Sequence, residues 1–312
     1  MMMKRTSILV CILLLVFSAA MAETAGNYTY ALQPDGTALL TGYRGAESAL
    51  TLPDVLEGHP VTAIAVHAFA GKPIASVTIP ASVTQLKGNP FTMCARLTDV
   101  QVAEGHPTLR VTDGVLYDKT TNTLICYPGG FYGDSFTVPQ GTAHIGDAAF
   151  YCAPMRLEAI TIPKTVLTIG DYAFYGANIE KIVLPRSVTS IGDFAFAEGG
   201  WDFREVQISS SVASMGRNPF YHSRFLETIK VVKENPNYIQ RKDGVIYDKR
   251  TRTLVVYPPA ATWESYAIPD VIEQLAPYAF SGNEHLRQVT LHPGITSVDD
   301  TAFAGTQVPP AP

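Results

Sequence analysis

A mainly β solenoid of about ten stacked coils is the fold predicted by this 312-residue chain, and three observations predict it. The first is a repeated heptad of residues: HIGDAAF (His144–Phe150), TIGDYAF (Thr168–Phe174) and SIGDFAF (Ser190–Phe196), 24 and 22 residues apart. A catalytic motif needs to occur once, whereas a steady interval marks a structural unit being copied. The second is the longer pattern LxxIxIPxxVxxIGxxAF, carried without gaps by Leu157–Phe174, Ile179–Phe196, Phe203–Phe220, Leu286–Phe303 and Ile74–Phe91. The third is the spacing of its proline slot, which recurs at 53, 80, 103, 139, 163, 185, 209, 232, 269 and 292. Seven of those intervals lie between 22 and 27 residues, and two, of 36 and 37, are long.

Each position of the pattern has a physical task. In LxxIxI the fourth and sixth residues share one face of a strand and the polar fifth faces out. Proline removes a ladder donor and ends the strand. The next apolar pair, such as Val188 and Ile191, returns inward, and the closing Phe is the largest core filler. Lys87, Ala276 and Asp299 stand in the slot of Gly192, so that slot does not demand a positive φ in every copy. A unit of this size cannot bury its apolar face alone, so the coils must stack.

In chain order, residues 1–22 come first. Lys4 and Arg5, the apolar run Ile8–Phe17 and the small residues ending in Ala20-Met21-Ala22 predict a secretory signal peptide cleaved after Ala22. The apolar run is half the roughly 20 residues that a membrane span needs. Residues 23–72 are assigned to an N-terminal cap and first repeat, 73–304 to the solenoid and 305–312 to a tail. Within the solenoid the two long intervals match each other. DGVLYDKTTNTLICYP (residues 113–128) and DGVIYDKRTRTLVVYP (residues 243–258) sit 130 apart, each with two β-rich runs around a polar turn. They predict hairpin-type inserts replacing the IGxxAF half of coils three and eight. The rest of the coils should share a continuous parallel sheet.

These motifs resemble the BspA-like class of leucine-rich repeats, from Asn27 to Ala304, with YTYALQPDGTALLTGYRG (Tyr28–Gly45) similar to that family's opening repeat. The resemblance implies a leucine-rich-repeat solenoid that is secreted or surface-attached, binds host proteins or other cells and has no common enzymatic activity. It carries over no catalytic residue and no cofactor.

Composition bounds the function classes further. Setting Lys4 and Arg5 aside leaves 21 basic against 28 acidic residues, a net −7. Nucleic-acid binding wants a basic excess, so that class is disfavoured. Beyond residue 22 the cysteines are Cys94, Cys126 and Cys152, an odd number that leaves at least one thiol unpaired. Cys126 aligns with Val256, which marks its slot as a small core hydrophobe. Most of the seven histidines occupy slots filled elsewhere by Lys, Ser, Thr or Asn, and none forms an HxxxH pair. Asp113, Asp118, Asp243 and Asp248 lack the spacing of a calcium loop and read as turn formers.

What remains is surface. Position two of LxxIxI carries Asp134, Glu158, Glu180, Glu227 and Glu264 within six consecutive coils, interrupted by Arg204, and this acidic column is the first candidate ligand face. The second is the aromatic set near the IGxxAF turns: Tyr151, Tyr172, Tyr175, Phe194, Trp201 and Tyr221. The expected function is a protein-binding or adhesion module without cofactor or enzyme activity. The alternative is a structural envelope component that self-associates.

Overall fold

The computed structural model describes residues 22–153 and 157–309. The signal peptide expected over residues 1–22 lies outside them, Ala22 apart. Among the described residues there are strands and turns but no helix, and the chain winds into the solenoid that the repeat predicts. An ordinary coil contributes a lead strand from LxxIxI and a two-residue second strand before the IG glycine, as in Lys181–Val183 and Ser190–Ile191. Both pair in parallel with the next coil, Lys181 with Glu205 and Ile191 with Met215. The period of two sets the faces: Ile182 is buried between the exposed Lys181 and Val183.

The closing phenylalanines stack ring on ring along the axis. Phe150–Phe174, Phe174–Phe196 and Phe196–Phe220 are 5.0, 5.4 and 5.7 Å apart between centroids and within 10° of parallel. Tyr127 and Tyr257, the tyrosines that end the two inserts, occupy the same slot. Each donates its N–H to the residue before the next Phe, at Ala149 and Ala279, as Phe150 does to Ala173. The ladder therefore runs in three sections: Tyr43–Phe69–Phe91, Tyr127 to Phe220, and Tyr257–Phe280–Phe303.

The sections end where the inserts stand. Each insert is a three-stranded antiparallel unit, not a two-stranded hairpin: Leu109–Thr112, Val115–Asp118 and Thr123–Cys126 in the first, Tyr238–Gln240, Ile246–Asp248 and Thr253–Val256 in the second. Its residues divide between two cores. Val115, Tyr117 and Leu124 belong to the central cluster, while Leu116, Ile125 and Cys126 belong to the N-terminal one. Each insert is thus a partition buried on both faces.

The continuous sheet expected for the lead strands is consequently divided. Three pair between Ala49 and Val102, five between Ser135 and Val231, and two between Ser265 and Thr290. The insert satisfies its backbone groups within its own antiparallel ladder, so it does not template the next lead strand. The second strands are extended instead, because the last insert strand pairs in parallel with the coil that follows.

Two side-chain devices hold the turns in register. The aspartate of IGD accepts the N–H of its successor: Asp147 from Asp171, Asp171 from Asp193, and Asp193 from Arg217, at 2.7–2.9 Å. This brings the coils so close that a Cβ on Gly192 would lie 2.5 Å from both Asp171 Oδ1 and the Gly170 carbonyl carbon. The glycine serves close approach, which is why Lys87, Ala276 and Asp299 suffice where the preceding coil has no such aspartate. The second device spans the inserts. Asn89 donates through Nδ2 to Ala148 O at 3.0 Å, and Asn218 donates to Tyr278 O at 2.6 Å, so each skips one coil. Pro90 and Pro219 follow them and hold these residues extended, whereas His67, Ala148, Tyr172, Phe194 and Tyr278 take φ of 54–62° in that slot.

Phe174 has neighbours on both sides of the ladder, and Phe174→Ala should cost about 3–5 kcal/mol through cavity formation. An unchanged urea midpoint would refute the stacking register. The Tyr257 hydroxyl is buried with no hydrogen-bond partner among the described residues, so Tyr257→Phe should leave stability equal or raise it by about 1 kcal/mol. A clear loss in the same melt would mean that the hydroxyl is bonded.

Candidate functional site

The lead strands carry the acidic column. Glu158 N–H donates to Asp134 O, Glu180 to Glu158, Arg204 to Glu180 and Glu227 to Arg204, at 2.9–3.1 Å. Those five residues are therefore in register, and all are exposed. Glu264 is not brought to them. It lies beyond the second insert, and Arg287 N–H donates to its carbonyl in a separate ladder.

Charge pairing sorts the column further. Arg204 Nη1 lies 3.3 Å from Glu227 Oε1, which neutralises that end. Lys181 does not screen the acids beside it; with Lys230 it grips Glu205, each at 3.0 Å. Those two bonds hold the Glu205 carboxyl below the usual carboxylate range. Asp134, Glu158 and Glu180 have no cation within salt-bridge distance among the described residues. Three successive coils thus place carboxylates in register, an arrangement that like-charge repulsion disfavours within a sheet.

The aromatic set splits in two. Tyr151 and Tyr175 stack at 4.6 Å, and Tyr172 stacks on Phe194 at 5.3 Å. Phe194, itself buried, meets Tyr221 and Tyr278 edge-on. His67 joins at the other end, 5.3 Å from Tyr151. His67 and Tyr278 escape a repeat-by-repeat reading because they reach this strip only across the missing turns of the insert coils. Most of the strip is spent on its own contacts. Burial raises the Tyr151, Tyr172 and Tyr221 phenols and pushes Tyr175 up to about 12.

Trp201 stands elsewhere. It is 71% exposed and stacks on Phe225 at 5.5 Å, with the Arg204 guanidinium 5.6 Å from that same ring. Because Arg204 is a member of the acidic column, Trp201 flanks the column and not the tyrosine strip.

Among the described residues no group of three or more His, Cys, Asp or Glu is placed to hold a metal. Cys94, Cys126 and Cys152 are free, and burial raises all three thiols, Cys94 to about 11. Raised thiols are poor nucleophiles at neutral pH. Also among the described residues, no helix is long and apolar enough to cross a membrane.

Comparison with known proteins agrees with this architecture. The BspA type leucine rich repeat region matches residues 51–115, 132–242 and 260–309 in six copies, well over half of the chain. The chain belongs to the BspA-type leucine-rich repeat family. Among solved structures, a leucine-rich repeat protein of Eubacterium ventriosum is similar at 17% identity, with 92% of this chain and 95% of that one covered and a TM-score of 0.51. A leucine rich cell surface protein of Faecalibacterium prausnitzii is 24% identical over 89% of this chain and 72% of its own, with a TM-score of 0.43. No curated protein matches the chain.

The Lys181–Glu205–Lys230 bridge has a defined pH signature. A carboxyl whose folded value is lowered contributes stability that is fully present above its unfolded value, near 4.3, and is lost as pH falls through the folded value. The urea midpoint of Glu205→Gln should therefore lie slightly below wild type at pH 7 and converge with it under acid. A gap of constant size from pH 7 down to the acid limit would show that the bridge contributes nothing.

Proposed function

We propose that the protein acts outside the cell as a non-enzymatic binding module, and that a basic protein surface docks where the acidic column meets Trp201. The observation that carries this reading is the run of carboxylates at Asp134, Glu158 and Glu180, which have no salt-bridge partner among the described residues and lie in register with Arg204 and the exposed indole beside it. Carboxylates without partner cations attract a cationic surface from a distance and quicken encounter, while an exposed tryptophan supplies the kind of anchor that dominates contact energy. The family is one of repeat proteins, and a solenoid offers an extended surface suited to proteins more than to small substrates. The tyrosine strip is the weaker site, since its rings already cover one another. The leader-like pattern of residues 1–22, a basic start, an apolar run and an Ala20-Met21-Ala22 end, supports an extracellular location.

Pull-down from extracellular-matrix and envelope extracts tests the reading. A basic protein should be recovered, and its association rate should fall steeply with salt. Glu158→Gln with Glu180→Gln should remove most of that salt dependence, and Trp201→Ala should cost about 2 kcal/mol or more of binding. Full binding by the charge variant at low salt would reduce the column to a solvated face. Recovery of only further copies of this chain would favour a self-associating envelope component.

A further inference from the structure

We propose that the gap between coil two and the first insert is a docking site for an extended peptide segment carrying a tyrosine and a nearby arginine. The second strand of coil two, Gln85–Leu86, pairs with His59–Ile64 on one side, and among the described residues no strand pairs with it on the other. The insert begins against it, where Thr108 Oγ1 donates to Thr84 O at 2.9 Å, and a groove of about 500 Å³ opens beside Leu86–Gly88, walled by later insert residues such as Asp118 and Ile125 and by coils four and five from His144 to Gly170. Leu86 and Ile125 provide apolar lining, and Lys87, Asp118, His144 and Asp147 provide charged and polar lining.

The chain contains an internal twin of this place that is closed. Met215, Tyr238, Asp248 and Arg250 of the second insert region correspond to Leu86, Leu109, Asp118 and Thr120, at offsets of 129 and 130. In the twin, the Met215 N–H donates to the hydroxyl of the buried Tyr238 at 2.9 Å. Arg250 clasps the Asp248 carboxylate, with Nη2 2.6 Å from Oδ2 and Nε 3.2 Å from Oδ1, and also donates to Ala213 O at 3.3 Å. A phenol and a guanidinium thus fill the second gap from within.

Neither group exists in the first gap. Leu109 has no hydroxyl to meet Leu86, and Thr120 leaves Asp118 without a cation. Asp118 Oδ1 is occupied by the Thr120 hydroxyl and the N–H groups of Thr120 and Thr121. Its Oδ2 has no protein partner among the described residues. The twin therefore states the chemistry of the missing occupant: a phenolic hydroxyl accepting at the strand edge, an arginine on Asp118, and a backbone running along the edge of Gln85–Leu86. Strand edges with side-chain pockets beside them recognise extended peptides in this manner. The groove is separate from the acidic column and from the tyrosine strip, so binding here is scored independently of the function proposed above.

Fluorescence anisotropy with a fluorescein-labelled Gly-Tyr-Gly-Arg-Gly amide tests the proposal on the whole chain. Saturable binding at a single site is expected, about tenfold weaker when the peptide carries Phe for Tyr or Gln for Arg. Installing the twin's own phenol and guanidinium with Leu109→Tyr and Thr120→Arg should abolish binding. Opening the twin with Tyr238→Leu and Arg250→Thr should instead add a second site of the same preference, a gain that misfolding cannot mimic. Absence of saturable binding to the wild type, or equal binding by the Leu109→Tyr, Thr120→Arg variant, overturns the proposal. A wild-type dimer that this variant loses would overturn it as well, by giving the groove to a second copy of the chain.

Discussion

Ring-on-ring contact between successive coils is the constraint on which this molecule depends. A single turn of the solenoid buries too little apolar surface to offset the entropy of ordering it, so its stability resides in the neighbour on either side. The aromatic slot is where that dependence concentrates. Phe150, Phe174 and Phe196 are fully buried with a ring on either side, and Phe220 closes the section against Phe196. Everything that sets coil height must respect this spacing, and the inserts respect it too: they end in Tyr127 and Tyr257 so that the next section begins with a ring already in place.

The departures from the repeat obey the same neighbour logic. Gly170, Gly192 and Gly216 each follow a coil that bears an aspartate, whose carboxylate draws the two backbones together. Asn-Pro appears in the turn of a coil whose next neighbour lacks a turn, because the amide must reach over the gap. A residue choice that looks like drift within one copy is thus a response to the adjacent copy.

The coil count, the lead strands and the core role of Cys126 were legible in the sequence because they follow from periodicity, which is a property of each copy alone. The partitions were not. DGVLYDK…YP shows two β-rich runs, but the third strand, Leu109–Thr112, lies upstream of the recognisable motif. The burial of both faces becomes visible only when two cores are present to divide the residues between them. A period-two run without polar alternation, such as Thr123–Cys126, was the available signal. Of the candidate surfaces, Asp134, Glu158 and Glu180 follow directly from register. Glu264 was joined to them on the assumption of an unbroken sheet, and Trp201 was grouped with the tyrosines although its loop, Ala197–Phe203, lies outside the repeated pattern and has no slot to place it.

The partitions also decide how damage travels. In an array coupled only through nearest neighbours, a terminal turn that peels away exposes the next, and fraying can run the length of the stack. Here the chain is divided into compartments by walls that carry their own ladders and contribute side chains to the cores on both sides. An advancing front of unravelling meets, at Asn89 and again at Asn218, a tie anchored some 60 residues away in sequence. Such bulkheads make a long, thin molecule fail in sections, so that the central compartment keeps its faces intact while an end is chewed or pulled loose.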